Sequence, residues 1–268
     1  MRGESLVTAN PMHVLFEDHH LIAINKPAPL MTQAPPGVPS LEALVKDYIK
    51  EKYGKPAGVY LGIPHRLDRG VSGVVLFCRN TKAASRVAEQ FQQHTVEKIY
   101  WAVAEGTFAD DAGEWRDIIR KVPDVARAEV VTADAPGAKE AITRFRVVRR
   151  DADATVLELT PQTGRMHQLR LQAATRGHPI VGDALYGSTR AFGPTAELQR
   201  DRVVALHARK LTVEHPFRKV PVVLEAELPE YWAVTLPSEA EAEVKRGQIM
   251  ESQVRLESRG RSETSKED

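Results

Sequence analysis

The sequence predicts an α+β domain: a mixed, mostly antiparallel central sheet with flanking helices. Three observations lead there. Short alternating segments follow one another closely enough to pair as neighbours, over 13–25 and again over 143–160. One continuous apolar run, Val74-Val75-Leu76-Phe77-Cys78, has strand length and no polar face, so it belongs at the buried centre of a sheet. Between these segments lie stretches with the apolar spacing of helices.

In chain order, residues 1–10 are polar and expected to be flexible, and a single domain is expected over 11–236. His13 to Asp18 and Leu21 to Asn25 read as two strands joined by a polar turn at Asp18-His19-His20. Lys26-Pro27-Ala28-Pro29 stops the second strand, and Pro35-Pro36-Gly37 prolongs the loop. Ser40 caps a helix, Leu41 to Lys52, whose apolar residues Leu41, Leu44, Val45, Tyr48 and Ile49 share one face. Asn80 or Thr81 caps a second helix running to about His94, with Val87, Ala88 and Phe91 inward. Glu97 to Gly106 is a strand closed by a glycine. Alternation sets Ile99, Trp101 and Val103 on one face and Tyr100, Ala102 and Ala104 on the other.

Residues 107–140 show no regular period, and Pro123, Pro136 and Gly137 mark turns, so an irregular stretch is expected there. Thr143 to Arg149 and Thr155 to Thr160 pair around the turn Asp151-Ala152-Asp153. A third helix spans Arg165 to Arg176 and stops at Gly177, a C′ glycine. Val203 to Val213 and Val220 to Leu228 are the last strands, separated by His215-Pro216. From Pro237 the chain loses its periodicity, and residues 237–268 are expected to be a charged, disordered tail.

Hydrophobic residues make up 42% and charged residues 27% of the 268, the proportions of a soluble globular protein. No apolar run approaches the roughly 18 residues of a membrane span, and the first residues lack the apolar core of a signal peptide. The single cysteine, Cys78, lies inside the apolar strand. It excludes an internal disulfide and a cysteine-built zinc site and reads as a small core residue. A cytoplasmic monomer without membrane contact is the expectation. The net charge of +1 does not announce a nucleic-acid binder, although the tail carries eight acidic and six basic side chains and so leaves +3 on the rest.

Three places could carry chemistry. Pro64 to Arg79, PHRLDRGVSGVVLFCR, sets a charged loop at the start of the apolar strand, with Asp68 at its tip between His65, Arg66 and Arg69. Loops on rigid elements are where reactive residues tend to lie. A carboxylate there can be a nucleophile, a general base or a metal ligand; it can also merely close a tight turn with an arginine. The second place is the helix bearing Arg165, His167, Gln168, Arg170 and Gln172. Arg170 follows His167 by three residues, so both can point one way, and a guanidinium binds carboxylate or phosphate with parallel hydrogen bonds. An ordinary solvated helix face is the plain alternative. The third is Tyr100, whose small neighbours Ala102 and Ala104 leave room for a base to stack on its ring, or for it to be half-buried core.

His65, Asp68, His167, His178 and Asp183 are ligand types, but none has a tight metal spacing such as H-x-x-x-H, and Arg66 and Arg170 would repel a cation. Neither G-x-x-x-x-G-K nor G-x-G-x-x-G occurs, so no phosphate-loop or dinucleotide site is indicated.

PHRLDRGVSGVVLF, EKIYWAVAEG, TGRMHQLRLQAATRGHPIVGDALYG and LHARKLTVEHPF stand in the order and spacing of the RluA-type pseudouridine synthases, which the chain resembles over about residues 13–233. VLFEDHHLIAINKPAPL is similar to that family's first strands. The resemblance implies the pseudouridine synthase catalytic fold with an active-site cleft, and an RNA pseudouridine synthase that isomerises uridine in structured rRNA or tRNA without metal or cofactor. Asp68 matches the family's essential aspartate, taken to act as nucleophile or base. Tyr100 matches the active-site tyrosine that stacks on the base and is a candidate to take the C5 proton. Arg170 matches the basic partner of the aspartate, and Arg66 the arginine that fills the space of an extruded nucleotide. By the same resemblance His65, Arg66, Arg165, His167 and Gln168 are expected to bind substrate.

Two departures stand out. The family usually has threonine where this chain has Val71 and Met166, so two hydroxyls are lost near the site. Two readings from other classes compete: a non-catalytic RNA-binding or ribosome-assembly factor that kept the cleft, and a metal-dependent hydrolase.

Overall fold

A computed structural model describes residues 12–54 and 58–232. The expected flexible N-terminus, residues 1–10, and the expected tail, 237–268, lie outside the described residues. The elements run β1 (His13–Glu17), β2 (Leu21–Lys26), α1 (Leu41–Tyr53), β3 (Ser72–Cys78), α2 (Thr81–Gln92), β4 (Glu97–Glu105), β5 (Ala112–Lys121) and β6 (Ala128–Val130). They continue with β7 (Lys139–Arg150), β8 (Ala154–Pro161), α3 (Gln168–Thr175), β9 (Leu206–Glu214) and β10 (Pro221–Glu225). All belong to a compact unit that ends at Pro229; a second unit, Glu230–Asp268, contributes the 3-10 turn Glu230–Trp232 to the described residues.

The strands form one sheet in the order β1-β2-β3-β9-β4-β8-β7-β5-β6, with β10 also paired to β9. Every pairing is antiparallel except β3 with β9, where Ser72 and Gly73 meet His207 and Ala208. This is the mixed, mostly antiparallel sheet with flanking helices that the sequence predicts. All seven residues of β3 are buried, as its unbroken apolar run requires. Gly73 makes the β3–β9 junction possible. Its φ is +114°, and a Cβ there would stand 2.3 Å from the Ala208 carbonyl oxygen.

The helix caps follow the sequence. Ser40 Oγ accepts the Ala43 amide at 3.3 Å, and Asn80 Oδ1 accepts the Ala83 amide at 2.9 Å. Ala83 and Val87 of α2 pack on Leu21, Ala23, Val74 and Leu76, all buried. Leu171 of α3 packs with Ile119, Ala128 and Ala141 of the β5–β6–β7 region. Among the described residues no helix is long and apolar enough to cross a membrane.

Three expectations are corrected. Residues 107–140 are not irregular: they hold β5 and β6. The β5 face reads Trp115, Asp117, Ile119, and Asp117 hides its alternation. That carboxylate sits among inward positions because Gln172 Nε2 and Arg176 Nη1 donate to it at 2.8 and 2.9 Å. The third helix begins at Gln168, three residues later than expected, because His167 has left-handed backbone, φ 51° and ψ 23°. Leu44 is exposed, so the inward face of α1 is Leu41, Val45 and Ile49.

Candidate active site

The loop that carries Asp68 is fastened on both sides of it. Thr32 Oγ1 donates to the Leu67 carbonyl at 2.9 Å and accepts the Leu67 amide at 3.0 Å. The Leu30 amide donates to the Arg69 carbonyl at 3.0 Å, and the Val204 amide to the Gly70 carbonyl at 2.9 Å. Beneath them the fully buried Lys26 donates to the Leu30, Pro27 and Arg69 carbonyls at 2.7, 3.0 and 3.4 Å. Burial pushes its ammonium down to about 7, against the opposing pull of the Asp68 charge. Nothing in the local sequence around Lys26 signals this role, since Lys26-Pro27 reads only as the stop of the second strand.

Asp68 is thereby held in the wall of a cavity of about 1100 Å³, its side chain 26% exposed. Arg170, on the first turn of α3, gives it one hydrogen bond, Nη1 to Oδ2 at 2.8 Å. The other two Arg170 nitrogens, Nε and Nη2, bind both oxygens of the buried Asp183 at 2.6 and 2.7 Å. Burial works against the Arg170 charge, but the Asp183 hydrogen bonds and charge, and then Asp68, outweigh it and hold the guanidinium's pKa above its ordinary value.

His167 Nε2 stands 3.7 Å from Asp68 Oδ1. Its Nδ1 meets the Tyr186 hydroxyl at 2.9 Å, and that hydroxyl also accepts the Ala128 amide at 2.9 Å. Burial lowers the His167 pKa further than the Asp68 charge restores it. Asp183 precedes the 3-10 turn Ala184–Tyr186 and Tyr186 ends it, and the turn lies between two glycines of positive φ, Gly182 and Gly187. Both residues lie within the GDALYG segment, yet the sequence reading gave neither a part in the site. Their contacts to α3 and β6 exist only in three dimensions.

Tyr100 lies in the same cavity, on the β4 face that alternation predicts. Burial and the nearby Asp68 charge push its phenol well above the ordinary value, so it is a neutral ring at physiological pH. Lys98, one step along the same face, also lines the cavity; burial and then the Arg165 charge lower it to about 8.

The eight residues singled out from the sequence, His65, Arg66, Asp68, Tyr100, Arg165, His167, Gln168 and Arg170, all line this cavity. Two of them also carry hydrogen bonds that hold the cavity wall together. Gln168 Oε1 accepts from Thr163 Oγ1 and the Arg165 amide at 2.8 and 3.0 Å, and its Nε2 donates to the Ile142 carbonyl and Thr143 Oγ1 at 3.0 and 2.9 Å. Its amide is fully engaged, and it braces the turn bearing Arg165. His65 Nε2 accepts the Leu76 amide at 2.9 Å and its ring stacks on Phe91, centroids 5.0 Å apart. Burial drives its pKa to about 3, so it is neutral. Arg66 is exposed at the cavity and forms no ion pair among the described residues. Val71 and Met166, the two departures from the motif, both line the cavity as well, Val71 almost fully buried. Among the described residues no three His, Cys, Asp or Glu side chains converge as a metal-ligand set.

A buried arginine clamped by one aspartate and aimed at another, beside a neutral tyrosine and an exposed arginine, can hold a carboxylate rigidly against a flat ring. The family model for RNA pseudouridylate synthase matches residues 20–175. A tRNA pseudouridine synthase C of Salmonella typhi is 31% identical over 236 residues, 84% of this chain and 88% of the relative. A ribosomal large subunit pseudouridine synthase D of Xylella fastidiosa is 35% identical over 236 residues, 86% of this chain and 70% of the relative. Among solved structures, human RNA Pseudouridylate Synthase Domain Containing 4 superposes with a TM-score of 0.67 at 25% identity, covering 82% of this chain and 90% of that one.

Proposed function

This chain belongs to the RluA-type family of RNA pseudouridine synthases, isomerases that convert uridine to pseudouridine in RNA, and from that premise we propose that Asp68 carries the isomerisation. The observation that supports it most is the Asp183–Arg170–Asp68 clamp, which fixes one carboxylate oxygen in the cavity.

A uridine stacked in RNA must first be extruded, at a cost of a few kcal/mol. Arg66, exposed beside the cavity, fills the space that the nucleotide leaves, and the neutral ring of Tyr100 stacks on the uracil. Asp68 then acts as nucleophile or base. The C1′–N1 bond breaks, uracil turns, C5 bonds to C1′, the C5 proton leaves and N1 ends protonated. No atom is gained or lost, so no oxidant or reductant is called for. Arg170 keeps Asp68 aimed throughout, and His167 closes its other side.

The substrate is ribosomal or transfer RNA, the two classes named for the relatives. The protein works as a cytoplasmic monomer, through the single domain over 11–236. Specificity comes from RNA shape and single-stranded loops met by the cavity walls.

Tritium release from RNA labelled at uridine C5, with chelator present, tests this reading. Wild type should release tritium and Asp68→Asn should not. Release by both would remove Asp68 from the chemistry. Release by neither, with RNA still bound, would leave a non-catalytic RNA-binding factor.

A further inference from the structure

The cleft adjoins a second, smaller groove of about 400 Å³ that shares Lys121, Gly164, Arg165 and Met166 with it. Its cations are arranged by strand register. Lys139 pairs with Ile119 across β5 and β7, so the two share a face, and Lys121, two residues beyond Ile119, shares it too. Ile119 and Ala141 on that face are covered by Leu171 of α3. The helix begins only at Gln168, and the face beyond its start is the groove, bordered by Arg165 and Met166.

The charges on this face differ in kind from those around them. All six arginines of β5 and β7, Arg116, Arg120, Arg144, Arg146, Arg149 and Arg150, have a carboxylate partner. Lys121 and Lys139, on the same two strands, are exposed and form no ion pair among the described residues, and the Arg165 side chain donates among them only to the Glu140 carbonyl, at 3.0 Å. Arg120 also borders the groove, but its charge is matched by Glu129 at 2.7 Å. Asp124 is on the wall of the larger cavity and outside the groove. Three unmatched cations in a channel continuous with a nucleotide-sized cleft fit a run of phosphates.

We propose that Lys121, Lys139 and Arg165 form a phosphate track that carries the RNA strand flanking the target nucleotide out of the cleft over the β5–β7 face. The identity of the ligand as RNA rests on the family reading above. The track sets the path of the strand: its backbone lies on the β5–β7 side of the cleft, which Ala88, Phe91 and Gln92 of α2 also line.

The test is binding of a fluorescein-labelled oligouridylate at several salt concentrations, comparing wild type, Lys121→Gln/Lys139→Gln, and a control of equal charge change away from the cleft, Lys50→Gln/Lys82→Gln. The track predicts roughly tenfold weaker binding at moderate salt and a log–log salt slope shallower by about 1 to 1.5 for the first pair alone. On a labelled RNA substrate the same pair should raise KM and leave kcat within about twofold. Wild type that does not bind, or a pair whose slope equals the control's, overturns the track. Absence of tritium release by wild type with these salt slopes intact removes the isomerase reading and leaves the track standing.

Discussion

Asp183 takes two of the three nitrogens of Arg170, Nε at 2.6 Å and Nη2 at 2.7 Å, and so leaves only Nη1 to meet Asp68. The arginine is thus a rigid spacer between a buried carboxylate and a reactive one.

Asp183→Asn keeps the shape of that contact and removes its charge and one acceptor. It should lower kcat by about 10- to 100-fold, the scale of an ångström-level misplacement, with KM and RNA affinity little changed. An equal change in kcat and affinity would show general unfolding of the site instead. Asp183→Ala is the poorer test, because stripping a partner from a buried charge costs roughly 3–5 kcal/mol.

Tyr100 is protonated by burial and by the charge of Asp68, so its ring should matter before its hydroxyl does. Tyr100→Ala should weaken binding of the flipped base by about 1–3 kcal/mol. Tyr100→Phe should retain that binding, and any loss of turnover in it measures what the hydroxyl contributes to proton transfer. Single-turnover kinetics with labelled RNA separate the two.

His207 is fully buried, with Nδ1 against Ser72 Oγ at 2.8 Å and Nε2 against the Ala226 carbonyl at 3.2 Å. Burial drives its pKa from 6.5 down to about 3, and the charges of Arg209 and Lys26 push the same way. Between those values the unfolded imidazole holds a proton that the folded one does not. Stability therefore falls as pH drops below about 6.5, by up to about 1.4 kcal/mol per pH unit from this residue. Urea titrations at pH 7, 6 and 5 should show the decline, and His207→Gln should flatten it. Should that variant not fold, the ring nitrogen resonances of wild type answer the same question, since His207 must remain neutral at pH 5.

Gly73→Ala would bring a methyl against the Ala208 backbone at a φ of +114°. Both faults act in the centre of the sheet, where neither strand can yield. A loss of several kcal/mol is expected, read as a lower urea midpoint; a change below about 0.5 kcal/mol would mean that β9 moves freely away from β3.

The sheet was legible where one segment declares its own period. β3 is apolar throughout and buried throughout, and β7 and β8 pair around the turn the sequence marks. β5 was not legible, because Asp117 breaks its inward face and is matched by Gln172 and Arg176 from a helix more than fifty residues away. The start of α3 was misjudged for a related reason. His167 is held in left-handed backbone by a site, with Tyr186 on one ring nitrogen and Asp68 facing the other, and helix propensity has no bearing on that.

The sequence by itself determined the residue types of the site and their order: Asp68 ahead of the central strand, Tyr100 on the open face of β4, and Arg165 to Arg170 beside the third helix. Local rules suffice for these, since capping, alternation and glycine punctuation act over a few residues. Tertiary structure alone decided what surrounds them. It engaged the Gln168 amide and a His65 ring nitrogen in hydrogen bonds to backbone, buried Lys26 beneath the Asp68 loop, and set Asp183 behind Arg170. It also turned Lys121 and Lys139 into one face of a groove. Each of these is a contact between distant segments, fixed by sheet order and register, and no short-range pattern in the chain encodes it.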